Sequence, residues 1–158
     1  MGSKVLYIDM DNTLVDFVSA FSRLAPGMYD AYPEKDDIPG VFALMDPMPG
    51  ALDAPIELPT MFDLYVLSTA PWDNPTAWHD KVQWIREHFG ATPESPVYKR
   101  LILSHHKNLN RGDFLVDDRP HKNGADKFSE AGGEVIHFGP GGAYSTWPDV
   151  VAYLKSRI

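Results

Sequence analysis

The chain has 158 residues, enough for one domain, and its 44% hydrophobic content is sufficient to fill a single core of ordinary size. Against 22 acidic residues it sets only 14 basic ones, a formal charge of −8, so it lacks the clustered Lys and Arg with which proteins track the phosphates of long nucleic acid. The absence of cysteine excludes disulfides, thiolate nucleophiles and zinc–thiolate sites, and no apolar run approaches the roughly 18 residues that span a bilayer, so a soluble cytoplasmic protein without membrane contact is expected.

Short apolar runs bounded by Gly, Asp and Pro recur at Val5–Ile8, 64–67, Leu101–Leu103, 114–116 and 135–138. All but the third are short and continuous enough to be buried on both faces, the pattern of a parallel sheet. The first run delivers two carboxylates, Asp9 and Asp11, into the turn Asp9-Met10-Asp11-Asn12-Thr13. The span 17–48 that follows is rich in Phe, Tyr, Met and Pro, and reads as a short helical insertion over the ends of the strands. Residues 52–59 carry Pro55 and Pro59, which disfavour a long helix. A clear helix lies between the second and third runs: Asn74 caps it, Pro75 suits its first turn, and Trp78, Val82, Ile85 and Phe89 recur at helical spacing before Gly90. A further helix is expected over 121–131, ended by Gly132-Gly133, and a last one begins at Thr146, where Thr-x-x-Asp149 resembles a capping box. Trp147 is expected to pack that helix onto the sheet.

Strands alternating with helices give a three-layer α/β fold, in which ligands bind beyond the carboxyl ends of the strands. Asp9, Thr69 and Asp117 fall at such ends. If the first and fourth strands are neighbours, Asp9 and Asp11 meet Asp117 and Asp118, and two such charges about 4 Å apart repel by roughly 4 kcal/mol at an effective dielectric of 20. An all-oxygen donor set of this kind suits Mg²⁺ together with a substrate phosphate. Thr69 can donate to a phosphoryl oxygen and Lys107 can supply positive charge, while a carboxylate can attack phosphorus and a second one can move the proton. Each residue alone has an ordinary reading: Asp-x-Asp as turn chemistry, Thr69 as a turn residue, Lys107 as a solvated charge. Their ordered combination is what points to phosphoryl chemistry. His105-His106 is set aside as a metal pair because neighbouring strand residues face opposite ways, and Gly139-Pro140-Gly141-Gly142 reads as a loop.

Asp9-Met10-Asp11-Asn12-Thr13-Leu14-Val15, Leu67-Ser68-Thr69, Lys107 and Asp117-Asp118 resemble the four ordered motifs of haloacid dehalogenase superfamily phosphatases. The closer resemblance is to the 5′(3′)-deoxyribonucleotidases. It is carried also by Asp16-Phe17, Pro47-Met48-Pro49-Gly50-Ala51, Trp78 with Phe89-Gly90, and the ten-residue spacing from Lys107 to Asp117-Asp118-Arg119-Pro120. The resemblance implies a Rossmann-like fold of one domain, 1–158, with a small cap at about 17–48. It implies Asp9 as nucleophile and metal ligand, Asp11 as acid/base with its backbone carbonyl on the metal, Thr69 and Lys107 as phosphate-binding residues, and one or both of Asp117 and Asp118 on Mg²⁺, with Asp118 favoured. The cap is shorter here than in those nucleotidases, although Phe17, Phe21, Tyr29, Tyr32 and Phe42 offer a stacking surface. Phe17, Phe42 and Ala70 are the candidate substrate contacts.

The expected activity is a Mg²⁺-dependent phosphomonoesterase on a nucleoside monophosphate. A phosphosugar or another small phosphoester is the alternative substrate. A receiver-like signalling domain phosphorylated on Asp is the alternative of another class, disfavoured because receivers carry the acceptor Asp in mid-chain. A homodimer partner covering so short a cap is compatible with the sequence.

Overall fold

A computed structural model describes residues 2–158 of the chain. In chain order the strands are β1 (Val5–Ile8), β2 (Val15–Asp16), β3 (Asp46–Pro47), β4 (Asp63–Ser68), β5 (Leu101–Leu103), β6 (Phe114–Asp117) and β7 (Glu134–His137), and the helices are α1 (Met28–Ala31), α2 (Ala54–Glu57), α3 (Pro75–Phe89) and α4 (Trp147–Lys155). Five strands form one sheet in the order β5-β4-β1-β6-β7, and every pairing in it is parallel. β2 and β3 make a separate antiparallel pair.

The alternation of β1 explains the layers. Leu6 and Ile8 point into the larger core with Leu64, Val66, Phe114 and Val116, whereas Tyr7 joins Leu67, Leu115, Ala125 and Phe128 on the opposite face. The larger core is closed by Trp84 and Ile85 of α3 and by Trp147, Val150 and Leu154 of α4. Both buried tryptophans find acceptors for their indole N–H: Trp84 donates to the Met45 carbonyl at 2.9 Å and Trp147 to the Thr13 carbonyl at 2.8 Å. Trp147 thereby packs α4 and also pins the acidic turn.

Three sequence expectations are corrected. β6 is buried along its whole length, but β7 is an edge strand with only Ile136 fully buried, so it is not covered on both faces. The helix expected over 121–131 is two short 3-10 turns, Ala125–Lys127 and Ser129–Ala131. Asn123 and Gly124 adopt positive φ, and the Asn123 carbonyl accepts the Lys107 N–H at 2.8 Å, so the segment is drawn to the Lys107 loop instead of winding from 121. Gly124 has φ 80°, a left-handed conformation that favours glycine, and a Cβ there would lie 3.2 Å from the Lys107 backbone nitrogen. Finally, Asn74 precedes α3 but its amide donates to the carbonyls of Asp36 and Ile38 instead of its oxygen capping the helix. It ties the 17–48 span to α3.

That span holds a 3-10 helix at Phe17–Arg23, α1, and further 3-10 turns at Lys35–Asp37 and Val41–Ala43. Its aromatics pack on one another, with ring centroids 5.3 Å apart for Phe17–Phe21, 5.4 Å for Phe17–Phe42 and 5.1 Å for Phe21–Tyr29. At α4 the Thr146 hydroxyl accepts the Asp149 N–H at 3.4 Å and donates to Asp149 Oδ2 at 2.7 Å, the expected cap.

Candidate active site

The ladder between β1 and β6 runs one residue past the strand, since the Asp9 N–H donates to the Val116 carbonyl at 2.9 Å. The chain then reverses: Thr13, Leu14 and Val15 all donate to the Met10 carbonyl, and Asn12 takes φ 55°, a left-handed conformation that Asn tolerates. Because β1 and β6 are neighbours, Asp9 meets Asp117 and Asp118, and one carboxylate oxygen from each lies within 4.8 Å of the others.

Lys107 sits inside this cluster. Its Nζ is 3.0 Å from Asp9 Oδ1 and 2.6 Å from Asp117 Oδ2, with its side chain 3% exposed. Burial alone would lower its pKa; the carboxylates of Asp9 and Asp117 more than reverse this and hold it above the usual lysine value. Asp117 is pushed up to about 6 and Asp118 to about 8, each first by burial and then by the charge of Asp9.

The donor set fits a divalent cation. Both Asp117 oxygens are engaged, Oδ2 by Lys107 and Oδ1 by the Arg119 N–H at 2.8 Å, whereas Asp118 Oδ1 is buried with no partner. Three hard oxygen donors, one of them orphaned, suit Mg²⁺ better than a transition metal. Both perturbed groups bind protons more tightly in the folded than in the unfolded chain, so their contribution to stability is present below about pH 4 and is lost as pH rises through about 6 and about 8. In EDTA the melting temperature should therefore fall from about pH 5 to about pH 9, and added Mg²⁺ should restore most at the alkaline end. A melting temperature at pH 8 that ignores Mg²⁺ would contradict this fit.

Asp11 lies outside the three-carboxylate cluster. Its Oδ2 accepts from Lys81 Nζ at 2.7 Å, its Oδ1 is buried without a partner, and burial raises its pKa against the lowering effect of Lys81. Thr69 lies just past β4 as expected, but its hydroxyl donates to the Ser104 carbonyl at 2.7 Å, so a phosphoryl oxygen must compete for that proton. Of the expected substrate contacts, half-buried Phe17 and Phe42, the latter 1% exposed, both line one cleft, whereas Ala70 is fully buried.

Two adjoining clefts, of about 380 and 320 Å³, share Asp11, Glu34, Asp36 and Arg119. Thr69, Asp37 and Asp73 line the larger, with Trp72, whose ring is 78% exposed. Asp37 is held above the ordinary carboxylate range by desolvation and by the charges of Asp36, Asp73 and Glu34, which places the four acids together at the mouth. A groove of about 640 Å³ between α3 and β5 is larger but has no carboxylate in its lining.

Sequence reasoning missed Lys81, Trp72 and the acidic mouth. A signal for Lys81 was present: it falls at helical spacing with Ala77, Trp84 and Ile85, which with Asp80 are the buried residues of α3, whereas Val82, chosen from the apolar spacing, is 40% exposed.

A family model described as 5′ nucleotidase, deoxy (pyrimidine), cytosolic type C protein matches residues 26–138. The chain belongs to this family. It is a phosphoric monoester hydrolase. Among its relatives is a protein of Vibrio phage KVP40 provisionally named a 5′(3′)-deoxyribonucleotidase, 50% identical over 154 residues, covering 97% of this chain and 85% of the relative. The human 5′(3′)-deoxyribonucleotidase, cytosolic type, is 31% identical over 104 residues, 63% of this chain and 48% of the human protein. In fold, the chain resembles a haloacid dehalogenase-like family hydrolase from Xanthomonas campestris with a TM-score of 0.56 at 12% identity, covering 99% of this chain and 98% of that one. Among the described residues no helix is long and apolar enough to cross a membrane.

Proposed function

We propose that this chain is a Mg²⁺-dependent 5′-nucleotidase that removes phosphate from deoxyribonucleoside monophosphates through an aspartyl-phosphate on Asp9. The observation that carries the reading is the buried set of Asp9, Lys107, Asp117 and Asp118 at the carboxyl ends of β1 and β6, in a chain half identical to a relative bearing that activity's name. The catalytic unit is the whole chain, 1–158, with the span 17–48 acting as its cap, and its place is the cytoplasm.

Asp9 attacks phosphorus with one carboxylate oxygen while Lys107 holds the other, and the ester P–O bond breaks as Asp11 passes its proton to the leaving oxygen. Water then attacks the acyl phosphate, Asp11 takes back a proton, and inorganic phosphate leaves. Mg²⁺ on Asp9, Asp118 and the Asp11 carbonyl would neutralise the carboxylates and draw charge from the phosphoryl oxygens. Thr69 and Lys107 orient the phosphate, and exposed Trp72 supplies a face for the base.

The acidic mouth favours a substrate whose remainder carries no further negative charge. At fixed Mg²⁺, a deoxyribonucleoside 5′-monophosphate should be turned over with kcat/KM at least about 10-fold above its 5′-diphosphate, because like charges at a binding surface cost a kcal/mol or more. A panel of phosphate esters tests both this and the substrate class. Preference for a sugar phosphate over every nucleotide would reject the nucleotidase reading and favour the phosphosugar alternative.

A further inference from the structure

Lys81 is fully buried in the middle of α3, whose other buried residues are Ala77, Asp80, Trp84 and Ile85. A buried ammonium costs several kcal/mol unless it is paired and hydrogen-bonded, and a methionine would fill the same place without that cost. Lys81 is paired on every side. Its Nζ donates to Asp11 Oδ2 at 2.7 Å, to Ser68 Oγ at 2.8 Å and to the Thr69 carbonyl at 2.8 Å, and the Phe42 ring lies over it with its centroid 4.7 Å away. These partners come from four separate places: the turn after β1, the end of β4, the residue beyond it, and the 3-10 turn Val41–Ala43 of the 17–48 span.

We propose that Lys81 is a positioning residue for proton transfer by Asp11. It anchors Oδ2, so Asp11 keeps one orientation and its unpartnered Oδ1 is the oxygen that exchanges the proton with the ester oxygen and with water. Ser68 and the Thr69 carbonyl fix the ammonium on the sheet, and Phe42 keeps water from the pair. Phe42 thus covers Lys81 with one side of its ring while its edge lines the smaller cleft beside Asp11. The proposal rests on the acid/base reading of Asp11, and it separates holding that carboxyl from the phosphate contacts assigned to Lys107.

The test compares two leaving groups, because kcat/KM covers the steps up to departure of the leaving group. A deoxyribonucleoside leaves as an alkoxide and needs the proton; 4-nitrophenolate leaves without one. Lys81→Met should lower kcat/KM for a deoxyribonucleoside 5′-monophosphate by about 30- to 100-fold, the scale of a misplaced catalytic group. For 4-nitrophenyl phosphate the loss should stay within about threefold. Lys81→Gln, which keeps a donor at the site, should show the same split with a smaller nucleotide loss. Asp11→Asn is measured alongside. If it shows the split and the Lys81 variants lose equally on both substrates, or lose nothing, the positioning role falls and the Asp11 reading stands. If Asp11→Asn itself shows no split, the acid/base reading falls and the proposal with it. Loss of the native circular dichroism spectrum in both Lys81 variants would assign Lys81 to stability alone and overturn the proposal.

Discussion

Replacing Asp9 by Asn should lower deoxyribonucleotide turnover by about 10⁴-fold or more while leaving the fold intact, since removal of a nucleophile cannot be made good by the groups around it. The fold should survive because Asn keeps the shape of Asp9 and its N–H bond to the Val116 carbonyl, which belongs to the main chain. Electrostatics point the same way. Asp9 raises the pKa of both Asp117 and Asp118, so an amide at position 9 relieves that repulsion, and Lys107 retains its 2.6 Å contact with Asp117. In EDTA at neutral pH the variant should melt no lower than the parent, and its gain from added Mg²⁺ should shrink because one ligand oxygen has lost its charge. Calorimetry with and without Mg²⁺, beside a phosphate-release assay, checks both halves. A variant that retains activity in a clean preparation would remove Asp9 from the mechanism.

The second large effect is on stability. Lys107→Met leaves Asp9, Asp117 and Asp118 without their buried cation, and stripping one partner from a buried ionic cluster typically costs about 3–5 kcal/mol. The sign of the pH dependence follows from the carboxylates. As pH falls, Asp118 takes up a proton through about 8 and Asp117 through about 6 and the repulsion fades, so the penalty should be largest near pH 9 and smallest near pH 5. Activity should be lost at every pH, because the phosphate loses its charged partner as well. Urea denaturation at the two pH values measures the difference. A penalty of equal size at both would show that the lysine acts through packing and not through charge.

Much of this centre was legible in the sequence, because each part of it is local. Asp9 and Asp117 fall at the ends of apolar strands, whereas the neighbouring of β1 and β6, on which their meeting depends, entered only as a condition and is supplied by the fold. The separate fates of Asp117 and Asp118 were less legible: which of them Lys107 and the Arg119 N–H occupy is decided by side-chain geometry at the end of β6. What escaped was non-local. Spacing on α3 marks Lys81 as a buried position, but its partner Asp11, 70 positions earlier, is brought against it only by the fold. The expected helix over 121–131 fails because the Asn123 carbonyl is claimed by the Lys107 N–H, a contact between two loops that no periodicity encodes. Phe42 was read from its type as a substrate contact; it lines the smaller cleft and also lies over the Lys81 ammonium, a second neighbour that its type does not announce. The same residue type serves a ligand or a buried cation according to packing alone.

Whether phosphorus visits Asp9 before it meets water is tested most directly by the stereochemical course of hydrolysis. A deoxyribonucleoside 5′-phosphorothioate made chiral with oxygen isotopes, turned over in isotopically labelled water with Mg²⁺, should yield inorganic thiophosphate with retained configuration, the product of two successive in-line displacements. Inversion would mean a single direct attack by water and would contradict a covalent role for Asp9.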